Sequence, residues 1–259
     1  MFALETDVID AVLLTLPRLL GMALFLPFFR APLVPALVRN AVLLSIALVV
    51  LPVGFDSIQA LSASTTPYWL LAIKEFGVGM LFGFLIGLTF LVPQIIGDYL
   101  DNQRGASIAS LFNPTVGGQS SNLGLLLGQI FLVWFLVSGG MEALYGVVLQ
   151  SYRVYPINAP LPVIDESALD ALLALFSKFI KLALLLAAPA AFVMLLAEFG
   201  LGLVSRFAPQ LNVFFLAMPL KSVLALLIVG LTLSVILTQL WESGLIFAPA
   251  RGLLEALAK

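Results

Sequence analysis

The sequence predicts an all-α integral membrane protein with about six long, kinked hydrophobic helices. Hydrophobic residues make up 62% of the 259 residues and charged residues only 10%, whereas a soluble domain carries about 25% charged residues. The mean hydropathy is +1.15. The apolar runs are continuous rather than alternating, which favours membrane helices over lipid-facing β-strands. The chain therefore has too few polar groups to cover its own surface in water.

Each predicted helix corresponds to an apolar block that is near or above the roughly 17–25 residues needed to span a hydrocarbon core. The third and fifth blocks are too long for one straight crossing, and Pro93 can break the third while Pro189 can kink the fifth. Pro209 and Asn212 mark a turn that makes the last two blocks a C-terminal helical hairpin. We expect one membrane domain over residues 1–259, with apolar blocks at 8–29, 37–53, 68–96, 123–150, 169–201 and 213–240.

A polar stretch (residues 98–122) separates the third and fourth blocks and is rich in glycine, serine and asparagine. Irregular backbone at membrane depth is tolerated only where it is buried in protein or lines a water-filled cavity. The residues alone therefore leave two possibilities, a loop outside the membrane or the lining of a pore. At the end of the stretch, Ser120, Ser121 or Asn122 can cap the fourth helix.

Three glycines four residues apart form one face of the third block: Gly79, Gly83 and Gly87. Small residues at this spacing let another helix backbone approach closely. We expect the third helix to pack tightly against a neighbour in this chain or in another subunit. Gly124 and Gly128 repeat the spacing, although a single pair also fits the general abundance of glycine in membrane helices.

Charged residues inside the apolar blocks have two possible roles. Arg18 and Glu198 have apolar sequence on both sides, so we expect them to find partners across helix interfaces. The other charges lie nearer to block ends, where lysines can extend to the membrane surface. Neighbouring positions on a helix do not face each other, so Lys74 and Glu75 are not expected to pair. The charges near block ends are Lys74, Glu75, Glu142, Lys178, Lys181 and Lys221.

Composition excludes several classes of function. The net charge of −2 gives no electrostatic basis for nucleic-acid binding. The chain has neither cysteine nor histidine, which removes thiolate chemistry and the commonest general base. Asp98 and Asp101 could form an acid–base or cation-binding pair, but no catalytic motif surrounds them and Arg104 is placed to neutralise them. We expect neither an enzyme nor a cofactor.

Several short motifs resemble a known family along the whole chain. The family comprises the T subunits of the bacterial type III secretion export apparatus, which are relatives of the flagellar R export protein. The form DNQRG at 101–105 is more similar to injectisome members than to flagellar ones. The motifs are LDNQRGAS at 100–107, FNP at 112–114, GGQSS at 117–121, PRL at 17–19, PFF at 27–29, APQLNVF at 208–214 and MPLK at 218–221.

This resemblance implies a structural, pore-forming subunit of an export gate in the bacterial inner membrane. Its expected partners are the R, Q, S and U types of export subunit (P, Q and B types in flagella), exported unfolded polypeptides and membrane lipid, with no nucleic acid. Residues 1–170 would resemble the R-type subunit, and 171–259 would form a hairpin and tail like the small Q-type subunit. The assembled core would be multi-pass and raised toward the periplasm.

The resemblance also selects the pore for the polar stretch, as a plug that seals the channel. The glycines permit backbone conformations closed to other residues, and an apolar tip can close a narrow lumen. The implied plug residues are Gly105, Leu111, Phe112, Asn113, Pro114, Gly117, Gly118 and Gln119. The charges expected to be buried or at interfaces are Arg18, Asp101, Arg104, Glu198, Arg206 and Lys221, of which Arg206 and Lys221 lie near the hairpin turn.

Two alternatives remain beside the export gate. A small-molecule or proton-coupled transporter would use Arg18, Glu198 and the acidic pair, but such proteins often show two matched halves with broken helices, and the sequence shows no such repeat. A scaffold without a lumen would have no need of a long glycine-rich loop between its helices.

Overall fold

The computed structural model describes residues 2–29, 34–61, 67–106, 121–159, 166–208, 210 and 212–244. Every regular element in these ranges is helical, which confirms the predicted all-α class. A short 3₁₀ turn, Pro27–Phe29, follows the first helix. The α-helices are α1 (Phe2–Ala23), α2 (Ala36–Leu61), α3 (Tyr68–Arg104), α4 (Asn122–Val137), α5 (Gly140–Val154), α6 (Glu166–Phe207) and α7 (Val213–Glu242).

Among the described residues, three helices are long and apolar enough to cross a membrane: α3, most of α6 (Leu172–Phe207) and most of α7 (Phe215–Glu242). The bent pair α4 and α5 makes a fourth span if the two are taken as one broken crossing. Helices α1 and α2 also carry apolar segments, Ala11–Ala23 and Ala36–Pro52. All six apolar blocks are therefore helical.

The fourth apolar block is two helices, so the prediction of one continuous helix was wrong. Helix α4 ends at Val137 and α5 begins at Gly140. Between them Gly139 has φ of 81°, a left-handed conformation that glycine adopts at little cost. Gly139 therefore turns the chain at a point where the sequence gives no change in hydrophobicity.

The third block is longer than predicted. Helix α3 continues through Pro93, where a break was possible, and ends only at Arg104. Asp98 and Asp101 therefore lie on its last turns and not in irregular loop. The helix stops at Gly105, whose φ is 85° and whose N–H donates to the carbonyl of Asn102 at 3.2 Å.

The chain divides into two compact units, each made of separate stretches of sequence. One comprises Met1–Thr89, Phe135–Leu175 and Gly244–Lys259, and the other comprises Phe90–Trp134 and Phe176–Ser243. The first unit thus contains α1, α2, the first part of α3 and α5. The second contains the end of α3, α4 and most of α6 and α7. The predicted division near residue 170 concerns likeness to other subunits and stays a prediction.

Each unit has its own apolar core with aromatic contacts. In the first unit Phe25 and Phe84 meet edge to face with ring centroids 5.6 Å apart. In the second, Phe90 and Phe131 meet at 5.5 Å. The hairpin of α6 and α7 keeps a large apolar surface outside the core, including Phe199, which is 70% exposed. Such a surface suits lipid or other hydrophobic subunits.

Candidate functional site

The three glycines of the third block lie against α1 of the same chain. A Cβ atom added to Gly83 would lie 2.5 Å from the carbonyl oxygen of Met22, and one at Gly79 would overlap the carbonyl of Arg18. At Gly87 it would lie 2.8 Å from the carbonyl oxygen of Phe25. The two helices therefore meet main chain to main chain, which only residues without side chains allow.

Helix α1 contributes a glycine of its own to this contact. A Cβ atom at Gly21 would overlap the carbonyl of Phe76 and lie 2.8 Å from the nitrogen of Met80. Gly21 was not predicted from the sequence as a contact residue. The sequence shows Gly21 only as an isolated glycine inside the first apolar block. Spacing within that block cannot identify the part of α3 that it contacts.

A buried charge cluster, defined as Arg18, Lys74 and Glu75, joins α1 to α3. The guanidinium of Arg18 contacts Oε2 of Glu75 at 2.6 Å through both Nε and Nη2. The ammonium of Lys74 contacts Oε1 of the same carboxylate at 3.0 Å. Arg18 and Glu75 are fully buried and Lys74 is 7% exposed. The expectation that Arg18 finds a partner across a helix interface is confirmed.

The pairing of Lys74 with Glu75 contradicts the prediction that these neighbours do not interact. The rule on neighbouring positions concerns the directions of their Cβ atoms. The four-carbon stem of Lys74 is long enough to bring its ammonium back to the carboxylate. Main-chain carbonyls also bind this ammonium, and the spacing rule does not consider main-chain acceptors.

Both cations of the cluster also bind the chain that follows α5. Arg18 Nη2 donates to the carbonyl of Tyr155 at 2.9 Å. Lys74 Nζ donates to the carbonyls of Ile157 at 2.5 Å and Ala159 at 3.0 Å. Hydrogen bonds from charged donors are the stronger kind, each contributing about 1.5–3 kcal/mol. The cluster thus fixes the segment 155–159 against α1 and α3.

Aromatic and hydroxyl groups complete the surroundings of Arg18. Its guanidinium carbon lies 4.1 Å from the centre of the Tyr152 ring, a cation–π geometry, and Nη1 donates to the hydroxyl of Ser151 at 3.4 Å. The Tyr152 hydroxyl donates to the carbonyl of Thr15 at 2.9 Å. Burial, reinforced by the Glu75 carboxylate, raises the pKa of Tyr155.

A second polar site, the loop base, consists of Asp101, Arg104 and Ser121 with the N–H of Leu123. Asp101 Oδ2 accepts hydrogen bonds from the Ser121 hydroxyl at 2.7 Å and from the Leu123 N–H at 3.1 Å. Asp101 Oδ1 lies 2.8 Å from Nη2 of Arg104, so the predicted neutralisation by Arg104 is confirmed for Asp101. One carboxylate therefore ties the end of α3 to the start of α4.

Ser121 has a second role in this site. Its Oγ accepts a hydrogen bond from the N–H of Gly124 at 2.8 Å, which satisfies a free amide of the first turn of α4. The prediction that a serine caps this helix is confirmed. Because the same hydroxyl donates to Asp101, the cap and the carboxylate hold each other in place.

Glycines bring α3 and α4 together beside the loop base. A Cβ atom at Gly97 would overlap the main chain of Gly124. One at Gly128 would lie 2.9 Å from Cγ of Gln94. Gly124 and Gly128 were singled out by their spacing in the sequence, whereas Gly97 was not. Gly97 follows Gly79 by a whole number of helical turns, and this spacing was the signal that could have identified it.

Lys221 connects the helical hairpin to the end of α3. Its ammonium lies 2.8 Å from Oε2 of Glu198 and donates to the carbonyl of Gln103 at 3.2 Å. The predicted partner for Glu198 across a helix interface is thereby identified. Lys221 is only 8% exposed, so of the two roles considered for it the structure fits a buried or interface charge and not a lysine that extends to a surface. Arg206 lies in the exposed last turn of α6.

Most of the predicted plug lies outside the described residues. Of the predicted plug residues, Gly105 lies within the described ranges, and helix α3 stops there. Within the ranges that the structure describes, no three acidic side chains gather closely enough to hold a metal ion. The predicted plug residues outside those ranges are Leu111, Phe112, Asn113, Pro114, Gly117, Gly118 and Gln119.

Comparison with known proteins gives matches over most of the chain. The family "Bacterial export proteins, family 1" matches residues 9–244. Yop proteins translocation protein T of Yersinia pestis is 39% identical over 227 residues, covering 86% of this chain and 87% of the relative. Secretion system apparatus protein SsaT of Salmonella typhimurium is 36% identical over 212 residues, covering 81% and 82%.

A flagellar relative is less similar. Flagellar biosynthetic protein FliR of Bacillus subtilis is 28% identical over 231 residues, covering 89% of this chain and 88% of the relative. The secretion proteins therefore share more residues with this chain than this flagellar protein does. None of the three names is that of an enzyme, in agreement with the expectation of a non-catalytic role.

Proposed function

This chain belongs to the bacterial export proteins, family 1, and we propose that it is a structural subunit of the membrane export gate of a type III secretion system. The observation that carries the proposal is its 39% identity, over most of both chains, to a protein named for the translocation of Yop proteins. The lower identity to the flagellar relative favours the injectisome branch. The three long apolar helices support a multi-pass place in the inner membrane.

We further propose that the loop following α3 is the plug of the channel. Its two ends are held together by the loop base, where Asp101 binds Ser121 and the Leu123 N–H. A segment fixed at both ends can move between them without displacing the helices that it joins. The polar residues of the segment can be wetted, and Leu111 with Phe112 can close a narrow lumen. These two properties suit a barrier that must stop ions and later admit a polypeptide.

The partners proposed are the other membrane subunits of the apparatus, of the R, Q, S and U types. The apolar surface of α6 and α7 supports contacts of this kind, because Leu185 and Leu231 are 68% and 72% exposed. We propose that Arg206 and Lys221, near the hairpin turn, face a Q-type or U-type neighbour. Exported unfolded polypeptides would pass beside the plug, and the core could be raised toward the periplasm.

The transporter alternative has less support from the charged residues. Arg18 is bound to Glu75, and Glu198 to Lys221. Asp101 is bound to Arg104, Ser121 and an amide of α4. A proton-coupled transporter needs a carboxylate that releases these partners during its cycle, whereas these contacts serve to connect helices.

Purification after co-expression with the neighbouring membrane genes tests the proposed subunit role. We expect the chain to elute in a defined hetero-oligomer with other export subunits. The same purification of the chain expressed alone is the control for self-association. Recovery of an active monomer or homodimer from the co-expression would contradict the proposal and favour a transporter.

Deletion of residues 113–119 tests the plug. We expect the complex to assemble with normal yield while small ions leak across the inner membrane, measured as loss of membrane potential. Replacement of the same residues by a glycine–serine segment of equal length separates the effect of their side chains from that of loop length. A stably assembled deletion variant without leak would refute the plug and leave the subunit role standing.

A further inference from the structure

Helix α1 is poorly suited to stand alone in a membrane. Four of its 22 residues are charged, three of them ahead of an apolar part at Ala11–Ala23, whereas a membrane-spanning helix needs roughly 20 predominantly apolar residues. Arg18 lies in the middle of that part, where a charge is most unfavourable. Pro17 removes a main-chain hydrogen bond in the same turn. The amino acids of α1 therefore give it little stability in lipid without partners.

The partners of Arg18 all come from much later in the chain. Glu75, on α3, follows it by 57 residues, and the carbonyl of Tyr155 follows it by 137. Together with Ser151 and the Tyr152 ring they surround the guanidinium completely, since Arg18 has no exposed surface. The hydrocarbon tails of lipid can supply none of these groups. The environment that accepts this charge is made by α3 and α5.

We propose that the charge on Arg18 makes the docking of α1 conditional on α3. Glu75 supplies the only negative charge of the cluster formed by Arg18, Lys74 and Glu75. When it is in place, α1 can bury Arg18 and reach the close contact at Gly79 and Gly83. Without it, burial of the guanidinium opposes that contact. The cluster is thus an assembly control within the chain, beyond the export role proposed above.

The charges of the three residues distinguish this proposal from a simple tether between helices. The cluster has two cations and one anion, so the three residues are not equivalent. Changing Glu75 to glutamine leaves two cations buried together. Changing Arg18 to methionine leaves Lys74 paired with Glu75 and removes the charge that opposed docking. A cluster that acted only as a tether would lose docking in both variants.

Cross-linking can measure docking, because the chain has no cysteine of its own. Cysteines at Phe25 and Phe84, whose ring centroids lie 5.6 Å apart, report contact between α1 and α3 within the full chain. A short bis-methanethiosulfonate reagent would be applied to membranes, and the intramolecular product scored by gel mobility. The four backgrounds are the native cluster, Glu75→Gln, Arg18→Met and both together. Glu142→Gln, which neutralises an exposed carboxylate of α5, is the matched control.

We expect Glu75→Gln to lower the cross-linking yield by about tenfold or more, because it leaves the buried charge of Arg18 without its carboxylate partner. Arg18→Met should keep a yield near that of the native chain, and the double variant should recover most of it. Recovery in the double variant shows that Glu75→Gln did not simply prevent folding. The proposal is overturned if Glu75→Gln cross-links normally, if Arg18→Met loses as much as Glu75→Gln, or if the double variant fails to recover.

Discussion

Replacement of Gly83 by alanine should destabilise the contact between α1 and α3 by about 2 kcal/mol or more. The added methyl group would lie 2.5 Å from the carbonyl oxygen of Met22 and 2.6 Å from its Cα. Main-chain atoms cannot rotate away as a side chain can, so the two helices must separate and lose the contacts around them. Thermal unfolding of the purified protein in detergent measures the loss, and Gly83→Leu should prevent stable complex formation.

Gly77→Ala is the matched control, on the same helix and with the same chemical change. A Cβ atom there meets nothing within 4 Å. Alanine is a better helix former than glycine by about 1 kcal/mol, so this variant should be neutral or slightly more stable. Equal effects at positions 77 and 83 would contradict a close main-chain contact at Gly83 and would indicate a general effect of glycine on α3.

Replacement of Asp101 by alanine should loosen the loop base by about 2 kcal/mol, the cost of leaving buried donors without an acceptor. The variant removes the acceptor of the Ser121 hydroxyl and of the Leu123 N–H, and it also leaves Arg104 without its carboxylate. A cysteine at Leu123, which is 3% exposed, reports the opening of the first turn of α4. Its maleimide labelling rate should rise about thirtyfold.

Asp98→Ala in the same Leu123→Cys background is the control for charge. Asp98 lies one turn earlier on α3 and is exposed, so its loss changes the net charge equally without removing the acceptor. We expect its labelling rate to stay near that of the parent. If both variants label alike, the carboxylate of Asp101 does not hold the loop base, and the proposed anchoring of the plug loses its support.

The sequence was most informative for structural features that depend on a single helix. Continuous hydrophobicity predicts the helices because a bilayer imposes length and apolarity on each segment separately. Closeness in sequence likewise predicted that Arg104 neutralises Asp101, and the structure shows the pair as an i, i+3 contact on α3. The serine cap at Ser121 is also local, since a helix start needs an acceptor for its own amides.

The features that could not be predicted are those that depend on which helices contact each other. Hydrophobicity showed that Arg18 needs a partner, but Glu75 is one of several acidic residues and nothing in the sequence selects it. Main-chain acceptors such as the carbonyl of Ile157 carry no side-chain signature. The break at Gly139 was missed because the apolar run continues on both sides, although the adjoining Gly140 offered a local signal.

The ammonium of Lys74 occupies a position that a free potassium or sodium ion could fill in another protein. Its ion-pair and hydrogen-bond partners are oxygens: a carboxylate oxygen of Glu75 and the carbonyls of Ile157 and Ala159. A dissolved ion would leave such a place on dilution and return with added salt. This one is bonded covalently to the chain, and its burial protects it from screening. The segment 155–159 should therefore keep its position whether the surrounding solution is rich or poor in salt.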